Sequence, residues 1–358
     1  MSLAEAQVPP PVHHLFIGTY TKGTSRGIYT AELDSLTGAL SKPVLAAETS
    51  NPSFLTLSPR KDTLYAVTDA GPMAVAFHVD TSRRLTPLEI PKATGGSAPC
   101  HVAIDRTART LLVTHYGEGF VATLPINPDG AIGKPSVLRH QGKGFDPARQ
   151  SSPHAHSVTL SPDNRFALVC DLGLDKIFTY ALNADTATLT PGNPPSVSTA
   201  PGAGPRHAAF SPDGKHVYVI NEMGGTVSAY AYAAANGALS HLGTQPTLPP
   251  DFQGTNTTAE VRVHPNGRFV YGSNRGHDSI AVFAREPQTG LLTLVEIVPC
   301  GGKHPRNFAL SPDGAWLVCG HMNSDTLAVF RVDSATGRLS RVGESVQVPM
   351  PVCILFSD

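Results

Sequence analysis

Histidine, arginine and glutamate recur in this chain at matching distances from a repeated turn, and together they suit acid–base work on an anion. The turn reads Ser58-Pro59-Arg60, Ser161-Pro162-Asp163-Asn164, Ser211-Pro212-Asp213-Gly214, His264-Pro265-Asn266-Gly267 and Ser311-Pro312-Asp313-Gly314, with a degenerate copy at Asp105-Arg106-Thr107. Counting five and four residues back from each turn gives Ser53/Phe54, Cys100/His101, His156/Ser157, Arg206/His207, Ala259/Glu260 and Arg306/Asn307. Counting ten and eleven forward gives Thr68/Asp69, His115/Tyr116, Asp171/Leu172, Asn221/Glu222, Asn274/Arg275 and His321/Met322. A neutral imidazole near pH 7 suits general-base work. Guanidinium groups stabilise developing negative charge and bind phosphate or carboxylate bidentately. Buried charge is costly unless paired, so its concentration at one end of a repeat points to a functional mouth.

The elements that position these residues follow from the repeat itself. Successive turns are 47, 56, 50, 53 and 47 residues apart. A second marker, a turn followed by Leu or Ile, returns seven times, as in Thr37-Gly38-Ala39-Leu40, Asn236-Gly237-Ala238-Leu239 and Thr336-Gly337-Arg338-Leu339. Each unit reads as four short strands, and no apolar stripe of helical period stands out. Four strands at a period near 50 residues predict an all-β fold, a seven-bladed β-propeller with four-stranded antiparallel blades. Pro351-Val352-Cys353-Ile354-Leu355-Phe356-Ser357 matches the first strand of a unit and Leu15-Phe16-Ile17-Gly18-Thr19-Tyr20 the second. One blade is therefore predicted to pair the two ends of the chain and close the ring, adding Val352/Cys353 and Thr19/Tyr20 to the two sets. Residues 14–358 form one domain in this reading, and residues 1–13 a flexible, proline-rich lead-in.

Composition removes other classes. Lys+Arg 27 against Asp+Glu 28 leaves no electrostatic footprint for nucleic acid or an anionic membrane. No apolar run approaches a membrane span, and the lead-in lacks the apolar segment of a secretion signal, so a cytoplasmic protein is expected. Five cysteines without a C-x-x-C argue against a disulfide framework or zinc ribbon. His154-Ala155-His156 has the look of a metal patch, but neighbouring arginines would repel a cation, and no metal is expected. Gly23-Thr24-Ser25-Arg26-Gly27 fits a nucleophile pattern but precedes a strand where that motif requires a helix.

The phrases Gly18-Thr19-Tyr20-Thr21, Pro153-His154-Ala155-His156-Ser157, Gly204-Pro205-Arg206-His207, Asn221-Glu222, Ser273-Asn274-Arg275-Gly276 and Pro305-Arg306 span almost the whole chain. In them the sequence resembles the lactonase family of seven-bladed propellers, which includes 6-phosphogluconolactonases and 3-carboxy-cis,cis-muconate lactonizing enzymes. The resemblance implies a catalytic set of His156 (with His154 as second choice), Arg206, Glu222 and Arg275, the same four that register counting reaches. It implies hydrolysis of an anionic sugar lactone, 6-phosphogluconolactone first, with His156 or Glu222 activating water and the arginines stabilising charge. Arg306 and His207 are expected to grip the substrate's phosphate or carboxylate, with His101, His154 and Glu260 completing the substrate contacts. No cofactor is expected, and a monomer or weak homo-oligomer suffices. Alternatives are a cycloisomerase acting on a carboxymuconate-type acid, a calcium-dependent gluconolactonase, and a non-catalytic propeller that binds a ligand or protein at its mouth.

Overall fold

A computed structural model describes residues 11–358 apart from 69, 70 and 72. Most of the predicted lead-in, and Asp69 among the mouth positions, lie outside the described residues. Seven antiparallel sheets follow one another around a ring. In six of them chain order runs from an innermost strand to an outer one, as in Pro205–Phe210, His216–Asn221, Thr226–Ala233 and Ala238–Pro246. In six blades the second strand is buried along its whole length, whereas the fourth is largely exposed. The core is therefore a set of interfaces between neighbouring sheets. The single helical turn among the described residues is Leu172–Leu174, and no helix is long and apolar enough to cross a membrane.

The repeated turn forms because each of its residues answers one need. Ser211 Oγ donates to Asp213 Oδ1 and accepts from His216 N at 3.0 Å, while Lys215 N donates to the same aspartate at 3.1 Å. Gly214 takes φ 68°, the left-handed backbone that costs glycine nothing. The degenerate copy inverts the chemistry and keeps the shape. Asp105 stands in the serine seat and accepts from Arg109 N and Thr110 N, both at 2.7 Å, while Thr107 supplies the hydroxyl.

Blades are pinned to their successors by a second recurring bond. Tyr65 Oη donates to Gly130 O, Tyr218 Oη to Gly290 O and Tyr271 Oη to Gly337 O, each from a buried second strand to the outer turn of the next blade. Trp316 Nε1 does the same to Ser35 O across the ring junction.

The predicted closure is present. Pro351–Phe356 is the innermost strand of the sheet that also holds Val12–Thr19, Gly27–Asp34 and Val44–Glu48, with Leu15 opposite Phe356 and Ile17 opposite Ile354. His13 joins the two ends, its Nδ1 2.9 Å from Asp358 Oδ2 and its Nε2 3.2 Å from Asp313 Oδ2 of the preceding blade. Ring closure hides the strand edges that an open sheet would expose.

Between the first and second strands the register slips at the same place in every blade. The pairing skips Val352, Ser53, Cys100, His156, Arg206 and Arg306, and in the sixth blade it sets Ala259 and Glu260 against Ser273 alone. These are β-bulges, in which an extra residue loses its ladder partner and its side chain is re-aimed. In five blades the bulge follows a proline, which has no N–H to give the ladder, and that proline follows a left-handed residue: Asn51, Ala98, Gly204, His304 or Met350.

Ile354 packs against Leu15, Ile17 and Val318 and is 2% exposed. Ile354→Ala is expected to cost about 2–5 kcal/mol in denaturant unfolding, against less than about 0.5 kcal/mol for exposed Val44→Ala. Equal, small effects would show that the closing strand is dispensable.

Candidate active site

The bulged residues meet at one end of the central channel. A cavity of about 290 Å³ is lined there by Ser53, Cys100, His156, Arg206, Arg306 and Val352, which are bulge residues of six blades. Glu222, Arg275, Tyr20 and Tyr116 complete the wall from the ends of second strands, with Phe54, His207 and Asn307 at the base.

Counting along the repeat predicted pairs of neighbours, and the pleat separates them, because successive side chains point to opposite faces. Of the second-strand pairs, four send their second member, Tyr20, Tyr116, Glu222 or Arg275, to the cavity, and in four blades the first member holds the connection entering its own blade. His115 Nδ1 bonds Ser97 O, Asn274 Nδ2 donates to Thr247 O and His321 Nε2 bonds Cys300 O. Asp171 takes the His140 ring and His154 N. His101 and Glu260, expected at the substrate, do not line the cavity. They lie on its underside, where Phe54, His101, His207 and Glu260 border a second cavity of about 440 Å³ that opens toward the other end. Phe54 and His207 are common to both, so this layer is the floor. His154 also falls outside the lining: its Nδ1 bonds Tyr116 O and its ring stacks on Tyr116 at 4.4 Å.

Charge in the cavity is organised around one carboxylate. Glu222 Oε2 lies 3.0 Å from Arg206 Nε and 2.7 Å from Arg275 Nη2, and Oε1 accepts from Arg149 Nη2 at 2.8 Å. Burial opposes ionisation of Glu222, but the charges of Arg275 and Arg206, with the Arg149 bond, outweigh it and hold the carboxyl far below its usual range. Glu222 is thus a fixed anion with both oxygens occupied. Arg206 Nη1 donates to Ala259 O and Arg275 Nη2 to Thr258 O, each at 2.7 Å. Among the described residues the Nε atoms of both arginines make no well-aligned hydrogen bond, the Arg206 Nε contact with Glu222 being an ion pair. Burial and the nearby Arg275 and Arg306 bring the Arg206 pKa down to about 9, so the guanidinium stays charged at neutral pH.

Arg306 meets no carboxylate within ion-pair distance among the described residues; its Nη2 donates to Tyr20 Oη at 3.1 Å. Three guanidinium groups therefore line the wall against a single carboxylate, and the excess favours an anionic ligand.

His156 is 5% exposed, and its Nδ1 has no hydrogen-bond partner. Desolvation, then repulsion from Arg206, holds its pKa well below the ordinary histidine value, so the imidazole is neutral. Beneath it His207 has both nitrogens engaged, Nδ1 with Glu260 Oε2 at 3.1 Å and Nε2 with Arg206 Nη1 at 3.2 Å. It is less free to grip a phosphate than the sequence suggested. Among the described residues no group of three or more His, Cys, Asp or Glu is arranged to hold a metal.

Arg149 was missed from sequence. It comes from the connection between the third and fourth blades, held in place by buried Gln150, whose Nε2 donates to Leu172 O and Asp175 Oδ1 at 2.7 Å and whose Oε1 accepts from Phe145 N and Asp146 N. Nothing equivalent repeats in other blades, so no periodic signal marks it. Tyr20 and Tyr116 did fall in the counted pairs but carry no charge to single them out.

The family model for a lactonase, 7-bladed beta-propeller, matches residues 14–356. The chain belongs to the lactonase family. A Bacillus subtilis protein named 6-phosphogluconolactonase is 38% identical over 95% of this chain and 97% of its own. A Formosa agariphila protein of the same name is 32% identical over 93% and 96%. The structure of the periplasmic gluconolactonase PpgL of Pseudomonas aeruginosa superposes with a TM-score of 0.91 at 35% identity, covering 97% of this chain and 99% of that one. Sharing the lactonase scaffold leaves substrate choice to the side chains in the cavity.

His101, His156 and His207 all have pKa values held well below the ordinary one, burial being the first cause in each. The folded state refuses protons that the unfolded chain accepts below about pH 6.5, so stability is full above that pH and falls as acid is added. Each such histidine contributes up to about 1.4 kcal/mol per pH unit in that window. Melting temperature is expected to drop between pH 7 and pH 5, and less so in His101→Phe, which keeps the stacking on Phe54 (4.1 Å between rings). The same drop in both proteins would mean that His101 takes up its proton freely.

Proposed function

We propose that the protein hydrolyses an anionic sugar lactone, with 6-phosphogluconolactone the substrate that fits its charge best. The observation that carries this reading is a neutral His156, its Nδ1 without a hydrogen-bond partner among the described residues, beside a positive wall built from Arg206, Arg275 and Arg306 around one fixed anion. Its membership of the lactonase family and the names borne by its relatives support the same chemistry.

In this reading His156 takes a proton from water as the oxygen attacks the lactone carbonyl. The carbonyl oxygen becomes an oxyanion, stabilised by Arg206 and Arg275. Collapse of the tetrahedral intermediate breaks the ring C–O bond, and the departing alkoxide recovers the proton from His156. The products are a free hydroxyl and a carboxylic acid, which ionises to its carboxylate and releases one proton to solvent. Glu222 is a poor base, since three cations lower its proton affinity and fill both its oxygens. Its task is to hold Arg206 and Arg275 at a spacing that their mutual repulsion would otherwise widen. Arg306, with Tyr20 beside it, is assigned the substrate's phosphate.

His156→Ala and Arg206→Ala are each expected to lower kcat for the lactone at least 100-fold with the far-UV spectrum unchanged, corresponding to about 3 kcal/mol of transition-state stabilisation. Acid release above the spontaneous rate is the measurement, because sugar lactones open in water unaided. Activity within threefold of wild type in either variant would remove that residue from the chemistry.

The acid limb of kcat/KM is expected below pH 6.5, because the His156 pKa is depressed. Arg306→Gln removes one of the repelling charges and should move that limb upward. It should also raise KM for the phosphorylated lactone at least tenfold while leaving KM for gluconolactone within threefold. Equal effects on both lactones would place the phosphate elsewhere.

A further inference from the structure

We propose that Glu260 and His207, in the channel floor, form a positioning relay that orients Arg206, so that turnover depends on a carboxylate outside the cavity. This rests on the reading above in which Arg206 stabilises the oxyanion.

Glu260 is 2% exposed, and every group around its carboxylate is a donor or a cation. Oε2 accepts from His207 Nδ1 at 3.1 Å and from Asn307 Nδ2; Oε1 accepts from Val261 N at 3.1 Å and lies 3.4 Å from Arg262 Nε. An ionised carboxylate can only accept, so the proton of the His207–Glu260 bond sits on Nδ1. Neutral His207 then carries its lone pair on Nε2, facing Arg206 Nη1 at 3.2 Å. The opposite tautomer would set N–H against N–H. Arg206 is held from below by this lone pair and by Ala259 O, and its Nε lies 3.0 Å from Glu222. Remove the carboxylate and the His207 part of that hold is lost, leaving Ala259 O alone below, although no atom that touches substrate has changed. Glutamine cannot substitute, because its amide end would point N–H₂ at donors on one side or the other.

Kinetics of Glu260→Gln, alone and combined with Arg206→Ala, provide one test. The single variant is expected to lose about 10–100-fold in kcat with KM within threefold, the size seen when an orienting partner is removed from a functional histidine. The double variant should turn over no more slowly than Arg206→Ala, since the relay acts only through Arg206. Losses that multiply in the double variant, kcat within twofold of wild type, or a rise in KM alone would each overturn the proposal.

A second test needs neither turnover nor a variant. Nitrogen-15 shifts of His207 in the wild-type protein should report Nδ1–H and a bare Nε2, and a signal from Nε2–H would refute the relay. If the wild-type protein opens no lactone, the functional reading fails on its own while this signature still decides the tautomer.

Discussion

Glu222 is the counterion on which the cavity depends. Two unit charges about 5 Å apart repel by roughly 3 kcal/mol at an effective dielectric constant near 20, and Arg206, Arg275 and Arg149 all sit against the same carboxylate. The carboxylate offsets that repulsion, while Thr258 O and Ala259 O take up further guanidinium donors. What remains is a wall that is still positive, with Arg306 unpaired by any acid among the described residues. In the reaction proposed above, a wall already assembled in this way requires little reorganisation as negative charge develops. Neutral His156 is part of the same balance, because the field that readies the wall for an anion also keeps a proton off the imidazole.

Such a balance needs side chains from several blades brought to one point, and the bulges supply that. A regular strand would turn alternate residues toward and away from the channel opening. One additional residue near the start of each innermost strand frees a side chain from the ladder and aims it inward. The proline before it, and the left-handed residue before that, repeat in five blades, so the bulge is encoded locally. At the ends of two second strands the labour is divided, Tyr116 and Arg275 building the wall while His115 and Asn274 fasten the incoming connection.

Much of this can be read from sequence because it repeats. The repeated turns mark six units, including the inverted copy at Asp105, whose hydrogen bonds imitate the others from a different set of atoms, and the two ends of the chain supply the seventh. Counting from those turns reaches His156, Arg206, Glu222 and Arg275 without three-dimensional information. The count stops at pairs, because counting from the turn takes no account of the pleat and the bulge that send neighbours different ways, and so His101 and Glu260 were expected in the cavity when they lie in its floor. Arg149 escapes for a different reason. It belongs to a connection with no counterpart elsewhere in the ring, and its reach to Glu222 is set by the long-range anchoring of Gln150. His154 looked like a partner of His156 along the strand, yet the chain has not entered the sheet at that point and the ring lies flat on Tyr116.

A bulged residue owes nothing to the ladder that carries it, and that independence has an evolutionary reach. Val352, Ser53 and Cys100 occupy sockets equivalent to those of His156, Arg206 and Arg306, yet bear no charge at neutral pH. Replacing any one of them alters the reactive chemistry of the mouth while the interlocking of the blades goes on as before. The ring thus behaves as a turret of interchangeable tool holders, able to take up new reactions one socket at a time.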